Sequence, residues 1–166
     1  MRALVIGGSL GGLFIANLLL RQDWDVEVYE HSREALSGRG AGIIPHPELF
    51  GCLRRIGIDI DETFGVNNPE RVTFDRGGTV LGTLALPQLL TTWGRLHELL
   101  LGAFPASRYH LGHSFRRLET DGHAIAVQFS NGTVARADLV IAADGLRPSV
   151  RAQLAPEARP SWRKSP

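Results

Sequence analysis

The feature that most constrains this chain is a glycine-rich turn near its start, set between two apolar runs. Residues 3–6 (Ala-Leu-Val-Ile) are continuously apolar and lead into residues 7–12, Gly-Gly-Ser-Leu-Gly-Gly. An apolar run ended by glycines is typical of a parallel strand that is buried on both faces. Residues 13–20 are apolar nearly all round, as expected for a helix packed on a sheet. The order therefore predicts a strand, a tight turn and a helix.

A second strand completes a βαβ unit. Residues 26–30 (Val-Glu-Val-Tyr-Glu) follow a polar turn and begin with the apolar–polar alternation of a strand. Glu30 ends this strand, eighteen residues after Gly12. The segment from residue 3 to residue 30 therefore has the order and spacing of one βαβ unit.

The residues of this unit predict a dinucleotide site. Gly7 suits the tight turn, Gly12 allows close helix–strand packing, and the N–H groups at the helix start suit a pyrophosphate. Ser9 replaces the usual middle glycine and adds a hydroxyl that can donate to phosphate. Glu30 can accept from both ribose hydroxyls and would repel a 2′-phosphate, so NADP is disfavoured. These residues do not distinguish NAD from FAD. The alternative interpretations are that the glycines form a tight turn without a ligand and that Glu30 is a solvated charge at the strand end.

Two arginines suggest further contacts to an anion. Arg39 begins the glycine-rich stretch 39–43, which we interpret as a loop that holds an extended cofactor or, alternatively, as a mobile glycine loop. Thr91-Thr92 predicts the N-cap of a helix through Leu101. Arg95 then lies in its first turn, where the helix dipole disfavours a cation. A nearby anion would explain it, and a solvent-facing side chain is the alternative.

The rest of the chain predicts an α/β fold with a Rossmann-like, mainly parallel sheet and a three-stranded antiparallel meander. We expect a helix over 49–56 ended by a glycine, a hairpin around 76–78, and the meander between 111 and 137. Residues 138–143 predict another buried parallel strand, ending at Asp144-Gly145. Ligands bind at the carboxyl ends of strands in open α/β sheets, so Asp144 is a candidate ligand contact, and a plain turn is the alternative. We expect His110 and His113 to be exposed strand-end residues rather than metal ligands.

Composition and charge favour a small-molecule partner. The 166 residues carry eighteen Lys and Arg against seventeen Asp and Glu, so no excess positive charge is available for nucleic acid or a membrane surface. Cys52 is the single cysteine, which excludes an internal disulfide and suits the cytoplasm. The apolar N-terminal segment resembles a secretory signal peptide. Its internal glycines, and the lack of a cleavage site with the small-x-small residue pattern, argue against a signal peptide.

These motifs in this order resemble the class A FAD-dependent aromatic monooxygenases, the p-hydroxybenzoate hydroxylase family. The segments GGSLGGL, GRGAGI, TTWGRLHELL and DLVIAADG are most similar to the branch that contains dihydroxypyridine hydroxylase, and the resemblance runs from Met1 to about Pro160. It implies tightly bound FAD, NADH or NADPH as a transient reductant, and hydroxylation of an aromatic or N-heteroaromatic substrate with O2. It is also compatible with a homodimer.

The resemblance also implies which residues contact the cofactor. The glycine turn and Glu30 match the residues that bind the ADP half of FAD, Arg39 and Arg95 match two arginines near the cofactor, and Asp144-Gly145 match a motif that serves both FAD and NAD(P)H. No catalytic acid or base is predicted. The implied cofactor-binding residues are Gly7, Ser9, Leu10, Gly11, Gly12, Glu30, His31, Arg39, Gly40, Arg95, Phe115, Asp144 and Gly145.

The sequence departs from the family in two places. Pro148 stands where the family usually has a serine, with Ser149 one position later, and the family's second motif, a Gly-Asp pair near the flavin, has no counterpart. We therefore expect a truncated or frameshifted form. We expect a discontinuous FAD-binding domain (1–66 and 91–160), a remnant of the substrate-domain sheet (67–90) and a disordered tail (161–166). The alternative function is a non-catalytic dinucleotide-binding module. A third possibility, an NAD-dependent dehydrogenase, is disfavoured by the predicted meander and by Arg39 and Arg95.

Overall fold

The computed structural model describes residues 1–36, 41–120, 122–145 and 149–158. The chain divides into two compact units: the first unit is Met1–Leu36 with Phe104–Pro166, and the second unit is Ser37–Ala103. The strands are β1 (Arg2–Ile6), β2 (Asp25–Tyr29), β3 (Gly42–Ile43), β4 (Val66–Phe74), β5 (Val80–Thr92), β6 (Tyr109–His110), β7 (Phe115–Thr120), β8 (Ile125–Phe129), β9 (Val134–Ala137) and β10 (Leu139–Ala142). The helices are α1 (Leu10–Leu20), α2 (Pro47–Ile56), α3 (Trp93–Gly102) and α4 (Ser149–Leu154).

The first unit is built on a parallel sheet with the strand order β10-β1-β2-β6. All three pairings are parallel. Leu4 and Val5 of β1 are fully buried, because this strand has a neighbour on each side and α1 is packed in the same unit. The predicted strand, helix and second strand are confirmed, although α1 begins at Leu10 rather than at residue 13.

The prediction of a buried strand after residue 138 is only partly correct. β10 pairs in parallel with β1, as expected, but Leu139, Val140 and Ile141 are half-buried and Ala142 is exposed. β10 stands at the edge of the described sheet, with one paired neighbour, so one side of the strand remains open. Its apolar composition indicated a parallel strand correctly but did not reveal its place at the edge.

The predicted antiparallel meander is confirmed as the sheet β7-β8-β9, and it closes the core of the first unit. Val127 and Phe129 from β8 join Leu4 and Tyr29 in one buried cluster. The Phe129 ring stacks on the Tyr29 ring, with centroids 4.4 Å apart.

The expectation of exposed histidines was wrong. His110 and His113 are half-buried, and the His110 ring stacks on Tyr29 with centroids 4.7 Å apart. His113 meets Phe129 edge to face, with centroids 5.3 Å apart. The pairing of β6 with β2 brings both histidines against the aromatic core, and this long-range pairing is not visible in the local sequence.

The second unit contains α2, α3 and the antiparallel sheet β3-β5-β4. The hairpin is longer than predicted: its strands extend over 66–74 and 80–92. Gly42–Ile43, expected in a loop, forms a short strand that pairs with Thr91 and Thr92. Thr92 caps α3, as predicted, and its hydroxyl accepts from the Arg95 N–H at 3.1 Å.

The observed layers therefore confirm the α/β fold class, with a parallel sheet, a meander and a separate hairpin. The division of the chain into an FAD-binding and a substrate domain stays a prediction. Arg39, Gly40 and the tail from residue 161 lie outside the described residues. Among the described residues, no helix is long and apolar enough to cross a membrane.

Candidate functional site

The glycine turn after β1 is sterically fixed by backbone contacts. Gly7 has φ +107°, and a Cβ there would overlap the carbonyl oxygen of Ala143, which follows β10. A Cβ on Gly12 would overlap the carbonyl oxygen of Gly7. Side chains are therefore excluded from both positions, and the start of α1 approaches the end of β1 closely, as the sequence predicted for a dinucleotide turn.

The start of α1 is exposed and is a candidate anion site. Ser9 is the N-cap residue, but its hydroxyl makes no capping hydrogen bond, and the first turn contains no acidic residue. Gly11 is exposed, and a Cβ built there has no neighbour within 4 Å. The first N–H groups of a helix have no partner within the helix and carry partial positive charge. The exposed helix start therefore suits a pyrophosphate.

Backbone hydrogen bonds fix Glu30 at the end of β2. Its N–H donates to the His110 carbonyl at 2.8 Å, and its carbonyl accepts from the His113 N–H at 2.9 Å. β6 and the residues after it thus hold the Glu30 backbone on both sides. The Glu30 residue as a whole is only 2% exposed.

The Glu30 carboxylate joins the glycine turn to the residues that follow β2. Oε2 accepts from the Gly8 N–H at 2.7 Å, and Oε1 accepts from the Ser32 N–H at 2.9 Å. His31 lies beside it, with Nδ1 2.9 Å from Oε1. A carboxylate offers about four acceptor positions, so these contacts leave room for a ribose hydroxyl. The strand-end acid is therefore a bonded part of the turn rather than a solvated charge.

Tyr109 contacts the turn from β6. Its hydroxyl donates to the Gly8 carbonyl at 2.9 Å, and its ring occupies the space that a Gly8 side chain would need. Burial, followed by the nearby negative charge of Glu30, raises the pKa of Tyr109 from 10 to about 12. The phenol is therefore a neutral donor over the ordinary pH range.

A cleft of about 290 Å³ opens at the carboxyl ends of β1 and β2. Four of the predicted cofactor residues line it, together with aromatic and polar residues that the sequence did not single out as ligand contacts. Asp144 also accepts from the Val150 N–H of α4 at 3.1 Å, which holds its carboxylate near the end of β10. The lining residues are Ile6, Gly7, Tyr29, His31, His113, Ser114, Phe115, Asp144 and Ser149.

Arg95 is in the second unit, where it has polar partners of its own. One guanidinium nitrogen lies 3.1 Å from Oε2 of Glu98, and another donates to Oγ1 of Thr63 at 2.7 Å. Its Nε is buried without a hydrogen-bond partner among the described residues. The side chain is 32% exposed and partly solvent-facing, and its role as an anion contact stays a prediction.

The structure brings most predicted residues of the first unit together at one end of the parallel sheet. Gly145, with φ +79°, adjoins Asp144, and Leu10 opens α1. Gly8 and Tyr109 were missed, and they lie 101 residues apart in sequence. The only sequence signal for Gly8 was its place in the glycine run, and Tyr109 had none.

Comparison with known proteins supports the resemblance. No family model matches the chain. A 2,6-dihydroxypyridine 3-monooxygenase from Paenarthrobacter nicotinovorans is 35% identical over 157 residues, which are 92% of this chain and 38% of that protein. A 6-hydroxynicotinate 3-monooxygenase from Pseudomonas fluorescens is 32% identical and aligns with 92% of this chain and 43% of its own length. The chain thus spans about two fifths of these relatives.

Solved structures show the same similarity in three dimensions. The 2,6-dihydroxypyridine-3-hydroxylase of Arthrobacter nicotinovorans superposes with a TM-score of 0.84 at 33% identity, over 93% of this chain and 39% of that one. Klebsiella pneumoniae HpxO, solved with FAD and uric acid, gives a TM-score of 0.80 at 29% identity, over 92% of this chain and 41% of its own. The chain is homologous to the FAD-dependent aromatic monooxygenases over nearly its whole length.

Proposed function

We propose that this chain binds FAD and belongs to a monooxygenase that hydroxylates an aromatic or N-heteroaromatic substrate with NAD(P)H and O2. The observation that carries the proposal is the joined arrangement of the glycine turn and Glu30. An open helix start for a pyrophosphate lies next to a buried carboxylate for a ribose. This pairing is the recognition chemistry of an adenine dinucleotide.

The described residues fit the ADP half of FAD. The N–H groups at the start of α1 and the Ser9 hydroxyl would hold the pyrophosphate, and Glu30 would accept from the ribose. The cleft beside them, lined by His31 and Phe115, would take the adenine. Asp144 and Gly145 border the same end of the sheet and would contact the rest of the cofactor. We also propose Arg95 as a cofactor residue, on the resemblance alone.

The cofactor would supply the redox chemistry. When bound, FAD accepts electrons from NAD(P)H and activates O2, so that one oxygen atom enters the ring and the other leaves as water. The residues described above bind and orient the dinucleotide and keep its phosphates against the helix start. We propose no catalytic acid or base among them, consistent with this division of labour.

The heteroaromatic substrate class is supported by the named relatives. Their names specify dihydroxypyridine and hydroxynicotinate as substrates, and one solved neighbour contains uric acid. All three compounds are electron-rich nitrogen heterocycles, and we propose the same class for this protein. A cytoplasmic location and a homodimer are further proposals, resting on the single cysteine and on the resemblance.

A dinucleotide-binding module without hydroxylase activity is the second candidate. It is favoured by the fact that none of the residues proposed above is a catalytic acid or base. The two candidates differ in turnover, so the test is to purify the chain, record its flavin spectrum and follow NAD(P)H oxidation with a hydroxypyridine. Hydroxylated product supports the monooxygenase. Bound flavin without turnover supports the module, and folded protein that ignores added FAD contradicts both.

A further inference from the structure

Residue 8 has both of its backbone polar groups held by side chains from elsewhere in the sheet. Its N–H donates to Glu30 at the end of β2, and its carbonyl accepts from the Tyr109 hydroxyl at the start of β6. The two distances are 2.7 and 2.9 Å. β2 and β6 are adjacent parallel strands, so the two side chains approach the turn from neighbouring positions.

The bond from Tyr109 also determines the direction of the next amide. The Gly8 carbonyl and the Ser9 N–H belong to the same peptide unit, which is planar and trans. In such a unit the C=O and N–H bonds point in opposite directions. The hydroxyl that holds the Gly8 carbonyl therefore directs the Ser9 N–H away from Tyr109, at the entry to α1.

We propose that Tyr109 is a positioning residue for the phosphates of the dinucleotide, because its hydroxyl orients the Ser9 N–H before the ligand binds. The inference rests on the dinucleotide binding proposed above. A turn that is already held in its binding conformation loses less conformational entropy when the ligand arrives, so affinity increases. Packing alone would require the Tyr109 ring but not the hydroxyl.

The test compares two variants that each remove one hydroxyl bonded to a backbone carbonyl. Y109F keeps the ring and loses the bond to Gly8. The control, T91V, loses a buried bond of 2.5 Å from the Thr91 hydroxyl to the Phe64 carbonyl, in the second unit. One hydrogen bond corresponds to about a three- to tenfold change in affinity. We expect Y109F to weaken FAD binding by that factor and T91V to leave it unchanged.

The affinity is measured from urea unfolding with and without FAD. The increase in stability caused by a ligand depends on its concentration and its Kd, so a variant that is less stable without ligand still reports its own Kd. The same variants are then titrated with ADP and with adenosine, followed by chemical-shift changes in the labelled full chain. We expect Y109F to weaken ADP binding as it weakens FAD binding and to leave adenosine binding within about twofold of wild type.

Two results would overturn the inference alone. The first is that Y109F binds FAD and ADP with affinities within about twofold of wild type. The second is that Y109F loses as much affinity for adenosine as for ADP, which would indicate a general distortion of the pocket. Failure of the wild-type chain to bind either FAD or ADP is a different result. It would overturn the proposed function and this inference with it.

Discussion

The Gly8 N–H donates a hydrogen bond of 2.7 Å to Oε2 of Glu30, across 22 residues of sequence. This bond joins the two halves of the predicted dinucleotide motif, the glycine turn and the strand-end acid, into one rigid arrangement. Glu30 is only 2% exposed, so the bond is protected from water and its loss would be costly. The carboxylate fixes the turn, and we propose that its remaining acceptor position takes a ribose hydroxyl.

Glu30→Gln is expected to lower both stability and affinity for FAD. The amide has one oxygen where the carboxylate has two, so the Gly8 or the Ser32 N–H would face an NH2 group. Hydrogen bonds to charged groups contribute about 1.5–3 kcal/mol, and a loss of this size is expected in the free energy of unfolding. We expect FAD affinity to fall at least about tenfold, measured by flavin fluorescence titration.

Glu34→Gln is the matched control, because it removes the same charge from an exposed residue in the loop that follows. Its FAD affinity and unfolding curve should match the wild type. If E30Q also binds FAD normally, Glu30 has no part in ligand recognition and serves the turn alone.

Two neighbouring glycines should respond to alanine in opposite ways. Gly12→Ala places a methyl group on the Gly7 carbonyl oxygen and should destabilise the protein by about 1–3 kcal/mol. Gly11→Ala meets open space and should raise stability by up to about 1 kcal/mol, since alanine favours the helix. Its methyl group would nevertheless lie where the pyrophosphate approaches the helix. Thermal unfolding and FAD titration of the two variants separate these effects, and a G11A variant with undiminished FAD affinity would refute the assigned pyrophosphate position.

Arg95→Gln should weaken FAD binding by about tenfold, because it removes the cation that the family resemblance assigns to the cofactor. Arg55→Gln is the comparison, since Arg55 is an exposed arginine in the last turn of α2. Equilibrium titration with FAD measures both. Equal affinities for the two variants would mean that Arg95 serves only its pair with Glu98 and Thr63.

The protein should resist ionisation of its tyrosines and lose stability at alkaline pH. The chain contains two tyrosines. Burial raises the pKa of Tyr109 to about 12, and burial with the bond to Glu27 raises the pKa of Tyr29 further. The fold therefore favours the protonated phenols, a contribution that is complete below pH 10 and is lost as pH rises through the folded pKa of each.

The ultraviolet absorbance of phenolate measures this directly. Both groups should titrate near pH 10 in urea and well above it in the native protein. Between pH 10 and 12, the free energy of unfolding should fall less steeply for Y109F than for wild type, because Tyr29 contributes equally to both. A native titration curve with its midpoint near 10 would contradict the observed burial.

Local sequence was sufficient for the elements that depend on local chemistry. Strand β1, helix α1 and the Thr92 cap follow from apolar runs, glycines and a capping hydroxyl within a few residues of each other. The pairing of Glu30 with the glycine turn was predicted in outline, since a βαβ unit brings these positions to one end of the sheet. The direct bond to Gly8 was not predicted.

The contacts that could not be predicted all depend on long-range pairing. Tyr109 reaches Gly8 across 101 residues, and Thr63 reaches Arg95 across 32. His110 is half-buried because β6 pairs with β2, and Ile141 is half-exposed because β10 stands at the edge of the described sheet. A single sequence carries the residue types for these contacts but not the strand order that brings them together.

We propose above all that this chain recognises the ADP half of FAD through the glycine turn and Glu30. The most direct measurement is the affinity of the purified chain for FAD, titrated by the quenching of flavin fluorescence with ADP and riboflavin as competitors. We expect saturable binding of FAD that ADP displaces and riboflavin does not, since riboflavin lacks both the pyrophosphate and the adenosine. Displacement by riboflavin but not by ADP, or folded protein that does not bind FAD, would contradict it.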